Sequence, residues 1–146
     1  MLAMRPILLI EDDPNDVLIV RDSLEQVHLV NDIDVATTVE AARTYVTRRM
    51  PALIISDIHL PGGSGLDFLH WLRDQPAPLG LVPVIMMSVS TEEVHHMRAS
   101  ALRALIFMTK PIKQEVLLDQ LRGLGLLVTH LPQGEQPGFM IEYRTH

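Results

Sequence analysis

The chain has 146 residues, 47% of them hydrophobic, and a formal net charge of -6 at pH 7. This size predicts one compact domain with a single core, and the absence of cysteine excludes disulfides and thiolate-bound zinc and suits a reducing cytoplasm. The apolar runs are only strand-sized, so neither a membrane-spanning helix nor a signal peptide is expected. The negative charge disfavours direct binding to DNA.

Strand-sized apolar runs alternate with segments of helical periodicity through residue 125. Turn-forming residues bound the runs, and the segments between them place apolar residues three or four apart. The alternation predicts an α/β fold: a five-stranded parallel sheet with right-handed crossovers and helices on both faces. The predicted strands are 7–10, 34–37, 53–57, 82–88 and 105–108, and the predicted helices are 15–27, 39–49, 64–74, 91–101 and 112–121.

Polar residues collect at the ends of these strands. Asp57 closes a continuous apolar run and precedes a Pro/Gly-rich turn, so we expect it at the carboxyl edge of the sheet, where ligands bind in open α/β folds. Glu11 and Asp12 follow the first strand, and Ser88 ends the fourth. Lys110 follows the fifth strand. Because parallel strands end at one edge, the sequence predicts that these residues meet.

The chemistry of this group points to phosphoryl transfer. Clustered carboxylates repel one another and favour a divalent cation, and magnesium prefers hard oxygen ligands. A carboxylate beside such an ion, here Asp57, can attack a phosphoryl group and form an acyl phosphate. Lys110 supplies positive charge to the transferred group, and Ser88 can donate a hydrogen bond to one of its oxygens.

The order of these motifs resembles the receiver domain of two-component response regulators, over about residues 7–124. The matching motifs are the acidic pair after the first strand, Asp57 with Leu60, Pro61 and Gly65 behind it, Ser88, and Lys110 with Pro111. The resemblance implies a flavodoxin-like sheet in the order 2-1-3-4-5. It also implies that Asp57 accepts a phosphoryl group from a sensor histidine kinase. Self-phosphorylation from a phosphodonor and slow self-dephosphorylation are then the only reactions expected, and the chain is not expected to be an enzyme.

The resemblance also implies a metal site. Mg²⁺, or Mn²⁺ in its place, would be held by Asp12, Asp57 and the main-chain carbonyl of His59, with Glu11 acting mainly through bound water. The His59 side chain places a titratable ring at the mouth of the pocket.

A switch is implied by the same resemblance. Ser88 and Phe107 are its expected members, and Phe107 stands where many receivers place a tyrosine, so an aromatic rotation is available but a hydroxyl hydrogen bond is not. Val89, next to Ser88, is bulkier than the residue common there and is expected to narrow access to the phosphoryl group. Pro111 would follow a cis peptide bond, which only proline makes inexpensive.

Within receivers, residues 11–17 and 87–90 look most like the small stand-alone regulators associated with phytochrome-type sensor kinases. About twenty residues follow Gly125, too few for a DNA-binding module. The sequence therefore predicts a single-domain cytoplasmic response regulator, phosphorylated by a phytochrome-like kinase. Its output would pass through contacts with another protein or through a phosphorelay.

The last segment, residues 126–146, is predicted to be an extension of the receiver domain of residues 1–125. Strand-like runs at 126–131 and 139–144 flank the turn-rich stretch 132–138, which indicates a β-hairpin arm. A lone hairpin is marginal in water, so the arm is expected to pack on the domain or on a second subunit of a homodimer. A disordered terminus is the alternative.

Two other functions compete with this interpretation. A phosphatase or mutase with an aspartate nucleophile resembles this pattern, but asks for a second acid where His59 stands. A receiver-like interaction module that works without phosphorylation is the other alternative, although no member of the expected set is missing. His95 and His96 are predicted to be a solvated helix face and not a metal site, because adjacent helical residues point apart.

Overall fold

The computed structural model describes residues 5–89, 93–130 and 138–141 of the chain. Strands and helices alternate as the apolar pattern predicts, with short extra elements between them. In chain order the elements are β1 (Ile7–Ile10), α1 (Pro14–Glu25), β2 (Ile33–Ala36), α2 (Val39–Arg48), β3 (Leu53–Asp57), β4 (His59–Leu60), β5 (Gly63–Ser64), α3 (Gly65–Arg73), a 3-10 turn (Leu79–Leu81), β6 (Val84–Ser88), α4 (Glu93–Ala101), β7 (Ile106–Thr109), α5 (Gln114–Gly123), β8 (Leu127–His130) and β9 (Gly138–Ile141).

Five parallel strands form the central sheet, in the order β2-β1-β3-β6-β7. Counted among themselves these strands run 2-1-3-4-5, so the predicted fold class is confirmed. The register aligns Ile10 with Ser56 and Ser56 with Met86, which brings the carboxyl ends of three neighbouring strands to one level. That alignment positions the strand-end polar residues along a single edge.

Apolar layers cover both faces of the sheet. Leu8 and Ile10 point into one layer, which packs against α2, α3 and α4, while Ile7 and Leu9 point into the other, which packs against α1 and α5. Strands buried on both faces read as unbroken apolar runs, which is why the sequence marked them clearly. Among the described residues, no helix is both long and apolar enough to cross a membrane.

The helix starts follow local capping rules. The side chain of Asp13 accepts a hydrogen bond from the Asn15 N–H, and Ser64, the predicted cap of α3, accepts one from the Leu66 N–H at 3.1 Å. Helix α5 begins at Gln114, two residues later than the apolar pattern suggests. Lys113 is extended (φ -95°, ψ 131°) and forms its cap, so Ile112 reaches the core from the loop.

The C-terminal arm is an antiparallel ribbon of β8 and β9. Phe139 and Ile141 pack against the core layer beneath α1 and α5, and backbone hydrogen bonds join Phe139 to His28 and Val30. Asn31 fixes the end of the ribbon: its side chain accepts from the Ile141 N–H at 2.8 Å and donates to the Ile141 carbonyl at 2.9 Å. Residues 131–137 and 142–146, which include parts of both predicted strand runs, lie outside the described residues.

Candidate functional site

Three carboxylates meet at the carboxyl edge of the sheet. Carboxylate oxygens of Glu11, Asp12 and Asp57 all lie within 4.8 Å of one another. Glu11 is completely buried and Asp57 is 6% exposed, whereas Asp12 faces solvent. The backbone N–H groups of Asp12 and Asp13 donate to one Glu11 oxygen, at 3.0 and 3.3 Å, and so hold that side chain inward.

Lys110 reaches this cluster from the loop after β7. Its Nζ donates to Asp57 Oδ2 at 2.8 Å, to Asp16 Oδ2 at 3.0 Å, and to Glu11 Oε1. Only 7% of the Lys110 side chain is exposed. The structure thus brings together Glu11, Asp57 and Lys110 as the sequence suggested. It adds Asp16, which sequence reasoning did not single out although it lies in the first turn of the helix that leaves an acid-bearing strand end.

The pocket shifts the proton affinities of its members. Burial, with a smaller contribution from the Asp57 charge, raises the pKa of Glu11 from 4.5 to about 7, against the opposing effect of Lys110. Burial alone would lower the pKa of Lys110, but its hydrogen bonds to Asp57, Glu11 and Asp16 outweigh burial and raise that pKa. Lys110 therefore stays charged, and once Glu11 ionises, the two buried acids Glu11 and Asp57 hold more negative charge than this one ammonium offsets.

A tight turn fixes the carboxylate of Asp57 from the other side. The His59 N–H donates to Asp57 Oδ1 at 3.3 Å, and β4 pairs with β5 across a turn in which Gly62 has a φ of +78°. This short ribbon was not predicted, because its pairing depends on the turn and not on an apolar pattern. Gly65 closes the loop, and its N–H donates to the Ile58 carbonyl at 2.7 Å.

The remaining predicted residues surround this centre. Ser88 is fully buried at the end of β6, and its carbonyl accepts from the Lys110 N–H at 2.8 Å. Val89 is 70% exposed. The peptide bond from Lys110 to Pro111 is cis.

Aromatic rings lie between the turn after β3, α4 and β7. Phe107 is partly buried and its ring lies against the His96 ring, with centroids 3.8 Å apart. The neighbouring His95 ring instead meets the His59 ring edge-on, with centroids 5.7 Å apart. His95 and His96 thus point apart, as expected for adjacent helical residues, but the predicted solvated face is wrong for His95, whose side chain is half-buried.

The donor set suits a small divalent cation. Glu11, Asp12 and Asp57 offer hard oxygen ligands at one point, and the buried negative charge beside them is only partly compensated by Lys110. The group contains neither cysteine nor a histidine side chain, the ligands that softer metals prefer. Mg²⁺ or Mn²⁺ fits these residues.

The sequence model described as "Response regulator receiver domain" matches residues 7–122, about four-fifths of the chain. The chain belongs to the response regulator receiver domain family. Among curated proteins, it is 32% identical over 122 residues to the C4-dicarboxylate transport transcriptional regulatory protein DctD of Pseudomonas aeruginosa. The match covers 82% of this chain but 25% of DctD, so the chain spans a quarter of the length of that relative.

Solved structures of receivers share the fold. The bacteriophytochrome response regulator RtBRR superposes with a TM-score of 0.79 at 27% identity, covering 91% of this chain and 85% of its own. AtBRR, also a bacteriophytochrome response regulator, gives a TM-score of 0.75 at 28% identity, covering 90% and 100%. The expected family and the likeness to phytochrome-associated regulators are confirmed. Receiver domains are signalling modules that bind Mg²⁺ at an acidic pocket and accept phosphoryl groups from histidine kinases.

The free energy of unfolding of a Glu11→Gln variant should depend less on pH than that of the parent. Because the pKa of Glu11 is raised to about 7 in the folded protein, the folded state retains a proton that the unfolded state has already released above its ordinary value of 4.5. The free energy of unfolding therefore falls, through this group, as pH rises from about 4.5 to about 7. Urea denaturation without metal compares the free energy of unfolding of variant and parent. The difference in favour of the variant should be larger at about pH 7.5 than at about pH 5, by on the order of 1–3 kcal/mol.

Magnesium provides the control for this measurement. A bound cation offsets the charge of ionised Glu11, so excess Mg²⁺ should shrink the gain at the higher pH. A difference between variant and parent that is the same at both pH values would show that Glu11 does not titrate in this range.

Proposed function

We propose that the protein is a single-domain response regulator that accepts a phosphoryl group on Asp57 from a sensor histidine kinase, in a reaction that requires Mg²⁺. One observation carries the proposal: the Lys110 ammonium is bonded to Asp57 and Glu11 inside an acidic pocket whose oxygens converge. This convergence supports the roles proposed for Asp57 as nucleophile, for Lys110 as the positive charge and for the acids as metal ligands. Its reactions would be limited to phosphorylation from a phosphodonor and slow self-dephosphorylation.

The proposed transfer is a displacement at phosphorus. A carboxylate oxygen of Asp57 attacks the phosphorus of the kinase phosphohistidine, a P–O bond forms, and the P–N bond breaks. The electron pair of the broken bond stays on the kinase imidazole, which takes up a proton. Lys110 offsets the charge of the transferred phosphoryl oxygens.

The metal ligands follow from the same pocket. In the proposal Asp12, Asp57 and the main-chain carbonyl of His59 hold Mg²⁺ or Mn²⁺, and Glu11 acts mainly through bound water. The ion supplies positive charge to the phosphoryl oxygens. The convergence of the three carboxylates supports this assignment.

The proposed response to phosphorylation passes through Ser88 and Phe107. Ser88 ends β6, the strand beside β3, and in the proposal its hydroxyl donates a hydrogen bond to a phosphoryl oxygen on Asp57. Movement at Ser88 would be felt by β7, whose Thr109 is its partner in the sheet, and by Phe107 on the same strand. Contacts with an output protein, or transfer of the phosphoryl group in a relay, would complete the signal in the cytoplasm.

The proposed kinase is phytochrome-like. RtBRR and AtBRR are bacteriophytochrome response regulators, and both superpose over nine-tenths of this chain or more, which includes residues beyond the receiver match. The discriminating experiment compares the rates of transfer from several purified phosphorylated kinases to this protein.

A homodimer formed through the arm is the proposed assembly. The arm contacts its own domain through Phe139, Ile141 and Asn31, and the backbone of Phe139 is already bonded to residues 28 and 30. We propose that the outer edge of β8 is the one that meets a second chain. A protein truncated after Gly125, compared with the full chain by light scattering over a concentration series, should lose the dimer mass. An unchanged mass accompanied by a lower unfolding temperature would restrict the arm to packing on its own domain.

A small phosphodonor tests the function itself. Incubation with acetyl phosphate and Mg²⁺, followed by intact mass measurement over time, separates three outcomes. A lasting mass gain of one phosphoryl group supports the response regulator, rapid release of phosphate indicates a phosphatase, and no gain from either acetyl phosphate or a kinase leaves the phosphorylation-independent module.

A further inference from the structure

The ammonium group of Lys110 donates all three of its N–H bonds to carboxylates. An ammonium has three hydrogens, and Nζ has three acceptors: Glu11, Asp57 and, from helix α1, Asp16 at 3.0 Å. The Asp16 side chain is 20% exposed, so this contact lies at the border between the pocket and solvent. The Lys110 ammonium is therefore held by residues from the loop after β1, from β3 and from α1.

Local capping rules give Asp16 a different partner. Asp13 is the cap of α1 and Asp16 stands three residues after it, the position from which an acid ordinarily accepts a hydrogen bond from the cap N–H. Here the Asp13 N–H donates to Glu11 Oε2 at 3.3 Å instead. Asp16 turns to Lys110, so helix capping does not account for its place.

Asp16 also differs from the other two acceptors of Lys110. Glu11 and Asp57 both belong to the group of carboxylates placed to hold a metal ion, and Asp16 does not. In the proposed reaction Asp57 becomes an acyl phosphate, a mixed anhydride whose carbonyl oxygen is a weaker acceptor than a carboxylate oxygen. Of the three acceptors of Lys110, Asp16 is then the one that neither belongs to the metal-ligand group nor is changed chemically by the transfer. Its hydrogen bond to Lys110 can therefore persist throughout the proposed reaction.

We propose that Asp16 is a positioning residue for Lys110: it keeps the ammonium in the pocket while the phosphoryl group is transferred to Asp57. The inference rests on the proposed function and deepens it. Removing Asp16 frees Lys110 toward solvent and slows transfer, although Asp16 touches neither the phosphoryl group nor the ion.

The rate of phosphorylation in variants tests this role. Asp16→Ala should slow uptake from acetyl phosphate by about tenfold, the scale of one lost charge-assisted hydrogen bond. Asp16→Asn, which keeps an acceptor oxygen, should recover part of that loss. Asp22→Asn removes an exposed charge from the same helix and is the matched control, with the parent rate. Mg²⁺ affinity by calorimetry should change in Asp16→Ala by less than about threefold, because Asp16 lies outside the ligand group.

Two further readouts separate positioning from a structural role. In a Lys110→Ala background, Asp16→Ala should have no further effect on the residual rate, and equal slowing in both backgrounds would overturn the proposal. The Lys110 ammonium protons, followed by NMR in the unphosphorylated protein, should exchange with water faster in Asp16→Ala than in the parent.

Different results would overturn the role of Asp16 and the proposed function of the protein. Unchanged ammonium exchange and an unchanged rate in Asp16→Ala would overturn the role of Asp16 alone. A parent protein that takes up no phosphoryl group would overturn the proposed function, and the ammonium exchange would then decide whether Asp16 still positions Lys110.

Discussion

An Asp57→Asn variant takes up no phosphoryl group from acetyl phosphate or from a kinase, with or without Mg²⁺. The carboxamide keeps the shape of the side chain but is not a nucleophile, so the proposed P–O bond cannot form. The carboxamide has one acceptor oxygen, which can meet the Lys110 ammonium, so only the 3.3 Å hydrogen bond from the His59 N–H loses its acceptor and the fold is retained. Intact mass and far-UV circular dichroism of the variant measure both expectations.

Asp119→Asn is the matched control for this experiment. Asp119 lies on the exposed side of α5 and pairs with Arg122 at 3.9 Å. This variant therefore loses the same charge without touching the pocket and should be phosphorylated like the parent. Equal phosphate uptake by Asp57→Asn and the parent would remove Asp57 from the reaction.

A Gly65→Ala variant loses several kcal/mol of stability and with it the phosphorylation site. A Cβ at this position would lie 2.0 Å from the Asp57 carbonyl oxygen and 3.0 Å from the Ser56 hydroxyl. The first clash is with backbone, so the turn after β3 must move, and we expect a cost of about 3 kcal/mol or more. Because that turn carries the residue that bonds Asp57, phosphorylation slows even in the fraction that folds.

Gly123→Ala separates the clash from a general effect of adding a methyl group. Apart from the backbone of its own helix and its chain neighbours, no described atom lies within 4 Å of the Cβ that alanine would add at Gly123, which ends α5. The free energy of unfolding of this variant should lie within about 1 kcal/mol of that of the parent, because alanine has a higher helix propensity than glycine. Thermal and urea unfolding of both variants are the measurements, and a Gly65→Ala protein as stable and as readily phosphorylated as the parent would contradict the described geometry.

The sheet was predictable because burial leaves a plain trace in the sequence. Strands such as Ile7–Ile10 and Leu53–Asp57 are covered by helices on both faces, so every side chain in them is apolar or small up to the polar end. The parallel topology then follows from the alternation of strands and helices. Element ends were less predictable: α5 starts at Gln114 because the backbone of Lys113 is extended, a conformation with no trace in the apolar spacing.

The candidate site was predictable only in part. Asp57 ends a strand and Glu11 and Lys110 each follow one, and Lys110 lies within hydrogen-bond distance of both acids. Their metal and phosphoryl roles remain predictions. The place of Asp16 in the site was not predicted, because Asp16 lies in the first turn of a helix. An acid at such a position is ordinarily explained by the helix dipole or by capping. Only the three-dimensional path of the Lys110 side chain, 94 positions further along the chain, reveals its partner.

The position of the phosphoryl group on the chain decides whether Asp57 is the residue that accepts it. After transfer from a phosphorylated histidine kinase in the presence of Mg²⁺, reduction with borohydride converts an aspartyl phosphate into homoserine, and peptide mass spectrometry then finds the modified position. We expect homoserine at residue 57 and at no other position of the chain. Homoserine at Asp12 or Asp16, or a phosphoryl group retained on one of the histidines, would contradict it.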